Sequence, residues 1–172
     1  MNNKVKRSVK FINNYIPYLK KYHRDRLTNK FGEMVMYVSQ ISTPNASEEQ
    51  KQTIETLVTY ILYLTEQLRE NDKPNTLADQ SIIDKRMNHY FEELLYALVL
   101  ELCLPEELHR YNKRFFQLIY AENLPKLESI KGDKITTLRT LFQKLYDIEN
   151  LLRYNLFTLD TIPVIRTIQG RT

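Results

Sequence analysis

The sequence predicts an all-α fold: a single helical bundle of six or seven helices, preceded by a basic N-terminal helical arm. Its 172 residues are enough for one domain with its own core, and only three of them are glycine. Apolar residues recur three and four positions apart along most of the chain, which places them on one side of a helix. We therefore divide the chain into the arm, residues 1–44, and the bundle, residues 45–172.

The arm shows helical spacing that is interrupted by a proline. Pro17 lacks the amide hydrogen that a helix interior needs, so we expect it to kink one helix or to open a second one. The stretch STPNAS, residues 42–47, is rich in turn formers and ends this part of the chain. The apolar positions of the arm are Val5, Val9, Ile12, Tyr15, Ile16 and Leu19, followed by Met34, Val35, Val38 and Ile41.

Two helices are predicted for the first part of the bundle. Ser47 and Gln50 have the spacing of a capping box, so a helix should start at once. The stretch ENDKPNTLAD ends it, and a second helix from about Gln80 to Cys103 has apolar residues on several sides, which predicts a central position. The first stripe is Ile54, Leu57, Val58, Ile61, Leu62, Thr65 and Leu68; the second is Ile83, Met87, Tyr90, Phe91, Leu94, Leu95, Leu98 and Leu102.

Prolines and cap residues divide the rest of the bundle. Pro105 fits the first turn of a helix, where its missing amide hydrogen costs nothing, and we expect that helix to reach about Glu122. Asp133 is a good N-cap for the next helix, and beyond Asp147 the pattern weakens. The signals for a last short helix are Asp160 or Thr161 as its cap, Pro163 in its first turn and Gly170 at its end.

The stretch ALVLELCLPEELHRYNKRFF, residues 97–116, raises the question of a reactive site, because it contains Cys103 and His109. A proline separates these two residues, and neither has an evident third group to orient it, so a buried structural cysteine is the favoured interpretation. Zinc sites use about four ligands, usually in close pairs. One cysteine with the scattered His23, His89 and His109 is no such set, and we expect no metal.

No motif in the chain predicts catalysis. Glu49-Gln50-Lys51 matches the Glu-x-Lys half of a restriction-type nuclease site, in which the acid binds magnesium and the lysine steadies the attacking water. The match is three residues long and falls at a predicted helix start, without a strand to hold it. The sequence contains no glycine-rich phosphate loop, nucleophile elbow or HExxH helix. We therefore expect no enzyme and no cofactor.

Charge is distributed unevenly along the chain. Residues 1–30 contain nine basic residues and one acidic residue, whereas the remainder contains sixteen basic and twenty acidic residues. This arm suggests contact with a polyanion, with its tyrosines stacking on bases; the alternative is a solvated basic face with tyrosines as core volume. The candidate nucleic-acid-binding residues are Lys4, Lys6, Arg7, Lys10, Lys20, Lys21, Arg24 and Arg26.

The compartment expected from the sequence is the cytoplasm. One cysteine cannot form an internal disulfide, and no leader pattern opens the chain. The longest apolar stretch, Leu94 to Leu104, is interrupted by Glu101 and is much shorter than the roughly 20 residues of a membrane span. We expect no membrane segment.

Three stretches from about Ile82 to Gly170 carry a resemblance to a known family: LVLELCLPEELHRYNKRFFQLIYAENLPKL, GDKITTLRTLFQKLYD and LLRYNLFTLDTIPVIRTIQG. They resemble the C-terminal helical tail of adenine-specific DNA methyltransferases of the type IIG restriction-modification kind. In that family the tail follows the target-recognition domain. Family members often have aromatic residues near the Leu-Pro-Glu-Glu-Leu-His joint, where this chain has Leu100 and Cys103.

The resemblance implies a noncatalytic role, because the family's Asn-Pro-Pro-Tyr catalytic motif and glycine-bearing cofactor motif are not in this sequence. It implies a scaffold that packs on a DNA-recognition part, or helps to position DNA, with a methyltransferase or restriction subunit as its partner and without S-adenosylmethionine binding. The basic arm would then contact the DNA backbone. The alternative is a protein-interaction bundle, either a homodimer or an accessory protein, with no nucleic-acid role.

Overall fold

The computed structural model describes residues 46–71 and 78–168. In these ranges the chain forms seven α-helices and no strand, which confirms the all-α bundle. The predicted arm, residues 1–44, lies outside the described residues. The helices are α1 (Glu48–Asn71), α2 (Ala78–Cys103), α3 (Pro105–Arg110), α4 (Phe115–Ala121), α5 (Lys134–Leu145), α6 (Leu151–Phe157) and α7 (Pro163–Ile168), with 3-10 turns at Leu127–Ser129 and Leu159–Thr161.

Helix α1 begins with the predicted capping box. The Gln50 amide donates to Ser47 Oγ at 3.2 Å, and the Ser47 amide donates to Gln50 Oε1 at 2.8 Å. Glu48 and Glu49 lie in the first turn, where the exposed amides of a helix favour negative charge. This helix start is therefore stabilised entirely by residues that are close in sequence.

The buried face of α1 is wider than its predicted stripe. Tyr60 and Leu64 lie outside that stripe, yet both are fully buried. Helix α1 packs along α2 and also meets the turn at Leu127–Ser129. The Tyr60 hydroxyl donates to the carbonyl oxygen of Pro125, so the segment before that turn covers a second side of the helix.

Helix α2 is central, as its sequence predicted. It packs against α1, α3, α4, α5 and α6, and it is buried on most of its circumference. Ile83 is an exception to the predicted stripe, because it is 45% exposed and its neighbour Ile82 is 55% exposed. At this end of α2 the contact with α5 is made by Asp84, whose carboxylate accepts two hydrogen bonds from Arg139, each at 2.8 Å.

The prediction of one helix from Pro105 to about Glu122 is wrong. Helix α3 does begin at Pro105, but it ends at Arg110. Asn112 adopts a left-handed conformation with φ of 59°, which asparagine tolerates better than most residues. The Lys113 amide then donates to the Leu108 carbonyl, and the Asn112 amide to the His109 carbonyl, each at 3.0 Å. This pair of bonds is a Schellman motif, and it turns the chain before α4.

The later helix starts match the sequence in part. Asp133 caps α5, since its Oδ1 accepts the Ile135 amide at 3.3 Å. Gly132 precedes it with φ of 97°, a conformation that favours glycine. Asn150 caps α6 in the same way, accepting the Leu152 amide at 2.9 Å, although the sequence pattern did not predict this helix.

Helix α7 begins at Pro163, in agreement with the prediction. The predicted cap residue, Asp160 or Thr161, is not the residue that precedes the helix. Asp160 and Thr161 lie in the preceding 3-10 turn, so Ile162 is the residue directly before the helix. The Thr161 hydroxyl donates to the carbonyl oxygen of Thr158 at 2.6 Å. The predicted end at Gly170 lies outside the described residues.

Among the described helices, none combines the length and the apolar character that a membrane span requires.

Candidate functional site

The joint after α2 is organised around the buried carboxylate of Glu101. One of its oxygens, Oε1, lies 2.7 Å from His109 Nε2, and the other, Oε2, accepts the backbone amide of Phe116 at 2.9 Å. That amide is in the first turn of α4, where helix amides have no partner within the helix. A single side chain of α2 therefore connects α2 to both α3 and α4.

Cys103 lies at the end of α2 and is buried, as predicted. Burial raises the pKa of its thiol to about 11, which disfavours the thiolate that nucleophilic catalysis needs. His109 has Glu101 as its hydrogen-bonding partner. The contacts that Glu101 makes with His109 and with the Phe116 amide are those of a structural connection between helices.

The stretch Glu49-Gln50-Lys51 occupies the exposed start of α1. Gln50 completes the capping box, and the Lys51 ammonium pairs with Glu48 at 3.2 Å. These contacts belong to the helix start itself. Across residues 46–71 and 78–168, no three His, Cys, Asp or Glu side chains are grouped so that they could hold a metal ion.

Lys113 is a buried cation that sequence reasoning missed. Only 6% of the residue is exposed, and its ammonium donates to Asn155 Oδ1 at 3.2 Å and to Thr158 Oγ1. It also lies 5.1 Å from the ring centre of Tyr154. Burial lowers the pKa of this lysine. The contacts attach the last residue of the Schellman motif to α6 and to the residue after it, more than 40 positions further on.

Helix α6 exposes a row of large apolar side chains. Together with the turn before it, it presents what we name the α6 face, which consists of Ile148, Leu151, Tyr154 and Phe157. These residues are 81%, 63%, 61% and 56% exposed, respectively. They are three positions apart, so each helical member is a neighbour of the next. The sequence signal for this face was present in IENLLRYNLF, residues 148–157, but only packing decides which apolar residues of a short helix face outward.

Arg153, Tyr146 and Phe157 pack against one another at the edge of the α6 face. The Arg153 guanidinium lies 4.6 Å from the ring centre of Tyr146 and 5.2 Å from that of Phe157. The two rings themselves meet edge to face, with centres 6.0 Å apart. Arg153 Nε is buried and has no hydrogen-bond acceptor in the described part of the chain. The exposed ring of Phe157 therefore has Arg153 and Tyr146 as packing partners.

All eight basic residues predicted to contact nucleic acid lie in residues 1–44, outside the described residues. Comparisons with protein-family models, with curated proteins and with solved structures give no match.

Proposed function

We propose that this chain is a noncatalytic helical module of a restriction-modification system, which scaffolds the DNA-recognition part and contacts the DNA backbone through its arm. The contacts of Glu101 support the scaffolding role. This carboxylate binds His109 and the Phe116 amide within the joint that carries the resemblance. A side chain that belongs to one helix and contacts two others keeps the relative positions of the three helices constant.

Contact with DNA is assigned to the arm because of its charge. Lysine and arginine side chains neutralise phosphates and release bound counterions, so such contacts give affinity without reading the base sequence. Nine of the first thirty residues are basic, and four of them, Lys4, Lys6, Arg7 and Lys10, lie within seven positions. Lys20, Lys21, Arg24 and Arg26 also lie within seven positions, but Asp25 is among them, so the first group has the higher net charge.

The α6 face supports a second candidate function, a protein-interaction bundle without a nucleic-acid role. Exposed apolar side chains that adjoin one another are typical of surfaces that bind another protein segment. The face includes Leu151 and Tyr154, both more than half exposed on a helix whose opposite side is buried. This alternative predicts that removing charge from the arm has no effect on partner binding.

The experiment that separates the two functions is duplex DNA binding by fluorescence anisotropy at 50 and 200 mM salt. The test variant replaces Lys4, Lys6, Arg7 and Lys10 with glutamine. The matched control replaces the same number of exposed basic residues in the bundle, namely Arg110, Arg114, Lys126 and Lys131. Each phosphate contact should account for about a 3.5-fold loss of affinity over this fourfold change in salt.

The DNA-binding function predicts steep salt dependence in the native chain and in the bundle control, and a clearly smaller dependence in the arm variant. Equal binding by all three proteins, or no binding by any of them, would rule out backbone contact by the arm. In that case the protein-interaction function would be favoured.

A further inference from the structure

The α6 face is presented by a helix that is anchored in the core. On the opposite side of α6, Leu152 and Asn155 are buried, and the helix packs against α2 and α4. The exposed side chains of the face therefore lie on a fixed element. A partner that binds here meets a preformed surface, so little ordering of this helix opposes the association.

The four apolar residues of the α6 face are spaced symmetrically about their midpoint. Each follows the one before by three positions, and the midpoint lies between Leu151 and Tyr154. When a second copy of the row is laid against the first in the opposite direction, Leu151 lies opposite Tyr154, and Ile148 lies opposite Phe157. Each aliphatic side chain then faces an aromatic ring. Such mutual pairing is what a two-fold interface between identical subunits requires.

Two charged residues beside the row lack partners of opposite charge. The Arg153 guanidinium stacks on Tyr146 and Phe157, and within residues 46–71 and 78–168 it makes no ion pair. Glu149 is exposed and has no cationic partner in the same ranges. Although Glu149 and Arg153 are only four positions apart, the stacking holds the guanidinium away from this carboxylate.

The antiparallel arrangement brings these two charges together between copies. Arg153 lies 5.2 Å from the ring centre of Phe157, and Glu149 adjoins Ile148 in the chain. Because Phe157 of one copy lies opposite Ile148 of the other, each Arg153 comes close to the other copy's Glu149. The surface is thus complementary to itself in charge as well as in the placing of its apolar residues.

We propose that two copies of this chain associate through their α6 faces, about a two-fold axis that passes between Leu151 and Tyr154. The apolar rows cover one another, and each Arg153 pairs with the other copy's Glu149. A row of this length gives an interface of less than about 1,200 Å², a size typical of weak and transient association. This pairing goes beyond the proposed function, and it holds whether or not the arm contacts DNA.

Sedimentation velocity of the full chain, from about 1 μM to about 1 mM protein, measures the monomer–dimer equilibrium. The test variant is Tyr154→Asp and the matched control is Ile82→Asp, since these side chains are 61% and 55% exposed, respectively. We expect the native chain and the control to dimerise equally. Tyr154→Asp should raise the dissociation constant at least about tenfold.

Three results of this measurement would overturn the proposal. The first is a native chain that stays monomeric over the whole range. The second is dimerisation that Tyr154→Asp leaves unchanged, since the contact would then lie elsewhere on the chain. The third is growth beyond a dimer, because a head-to-tail contact does not close on itself. No DNA is present, so each result is independent of the anisotropy measurement.

Charge reversal tests how the two copies are arranged. In a two-fold dimer, Arg153→Glu alone or Glu149→Arg alone places like charges opposite one another twice, so each variant should dimerise at least about tenfold more weakly. When the two variants are mixed, the new carboxylate of one copy faces the new guanidinium of the other, and the second pair keeps its native residues. The mixture should therefore dimerise about as strongly as the native chain.

The control mixture combines Arg153→Glu with Glu106→Arg, a charge reversal at an exposed position on α3. It should show no such recovery, and equal recovery in both mixtures would contradict the pairing. Absence of recovery with Glu149→Arg, when circular dichroism shows both variants folded, would rule out the two-fold arrangement. If Arg153→Glu loses its fold along with its ring contacts, Tyr154→Asp still decides whether the α6 face is the interface.

Discussion

Glu101 on α2 and His109 on α3 are joined by a 2.7 Å contact between Oε1 and Nε2, across the turn that Pro105 begins. The second oxygen of the same carboxylate accepts the Phe116 amide at the start of α4. The relative positions of three helices thus depend on one buried acidic side chain.

Replacing Glu101 with alanine should lower the free energy of unfolding by about 1–3 kcal/mol, because the buried Phe116 amide loses its acceptor. Glu101→Gln should cost less, since its amide oxygen still accepts one hydrogen bond. Glu106→Ala, at an exposed position in the same joint, is the control and should change stability by less than about 0.5 kcal/mol. Urea denaturation measures the free energy of unfolding of the three variants. Equal losses for Glu101→Ala and Glu106→Ala would contradict the role of Glu101.

Leu95→Ala tests the central position of α2. Leu95 is buried against the surrounding helices, so its truncation should leave a cavity and cost about 2–5 kcal/mol. Ile82→Ala, on the exposed end of the same helix, should cost less than about 1 kcal/mol. A loss within about 0.5 kcal/mol at Leu95 would mean that the helix is not buried as described.

The two partners of the ion pair between Asp84 and Arg139 should differ in how much stability is lost when each is replaced. The Asp84 side chain is almost completely buried, whereas that of Arg139 is 27% exposed. Arg139→Ala leaves a buried carboxylate without its partner and should cost about 3 kcal/mol, the lower end of the range for broken buried pairs. Asp84→Ala should cost less, because water can reach the remaining guanidinium.

A double-mutant cycle checks this asymmetry. Removing both partners should cost less than the sum of the two single changes, since no uncompensated charge remains in the interior. Additive losses in chemical denaturation would show that Asp84 and Arg139 do not act as a pair.

His89 should make stability depend on pH in the alkaline range. The carboxylates of Glu92 and then Glu93, which lie 3.8 Å and 3.3 Å from the ring nitrogens, raise the pKa of His89 from 6.5 to about 9 in the folded chain. Only the folded state holds this proton between those values, so the stabilisation is complete below pH 6.5 and is lost as the pH rises through 9. The side chain is mostly exposed, so the effect should be at most about 1 kcal/mol.

The comparison for this prediction is His89→Gln, which cannot titrate. Urea midpoints for the two proteins between pH 6 and pH 9.5 should show a larger fall for the native chain. Parallel curves would show that His89 is not protonated preferentially in the folded state.

Helix starts with side-chain caps were determined largely by the sequence itself. The capping box of Ser47 and Gln50 and the cap at Asp133 involve groups no more than three residues apart. Such contacts form within one turn of chain, so the local residues suffice to predict them. The Schellman turn at Asn112 is equally local, but it was missed because the apolar spacing continues through it from Leu108 to Phe115.

Tertiary structure decided the features that join distant parts of the chain. Arg139 meets Asp84 across 55 positions, and Lys113 meets Asn155 across 42. Tyr60 is buried because the segment around Pro125 folds over α1. The first four of these residues carry polar groups, and Tyr60 lies outside the predicted apolar stripe of α1. Helical periodicity alone therefore places all five on the surface. Only the packing of remote helices removes them from water and supplies the hydrogen-bond partners that make their burial stable.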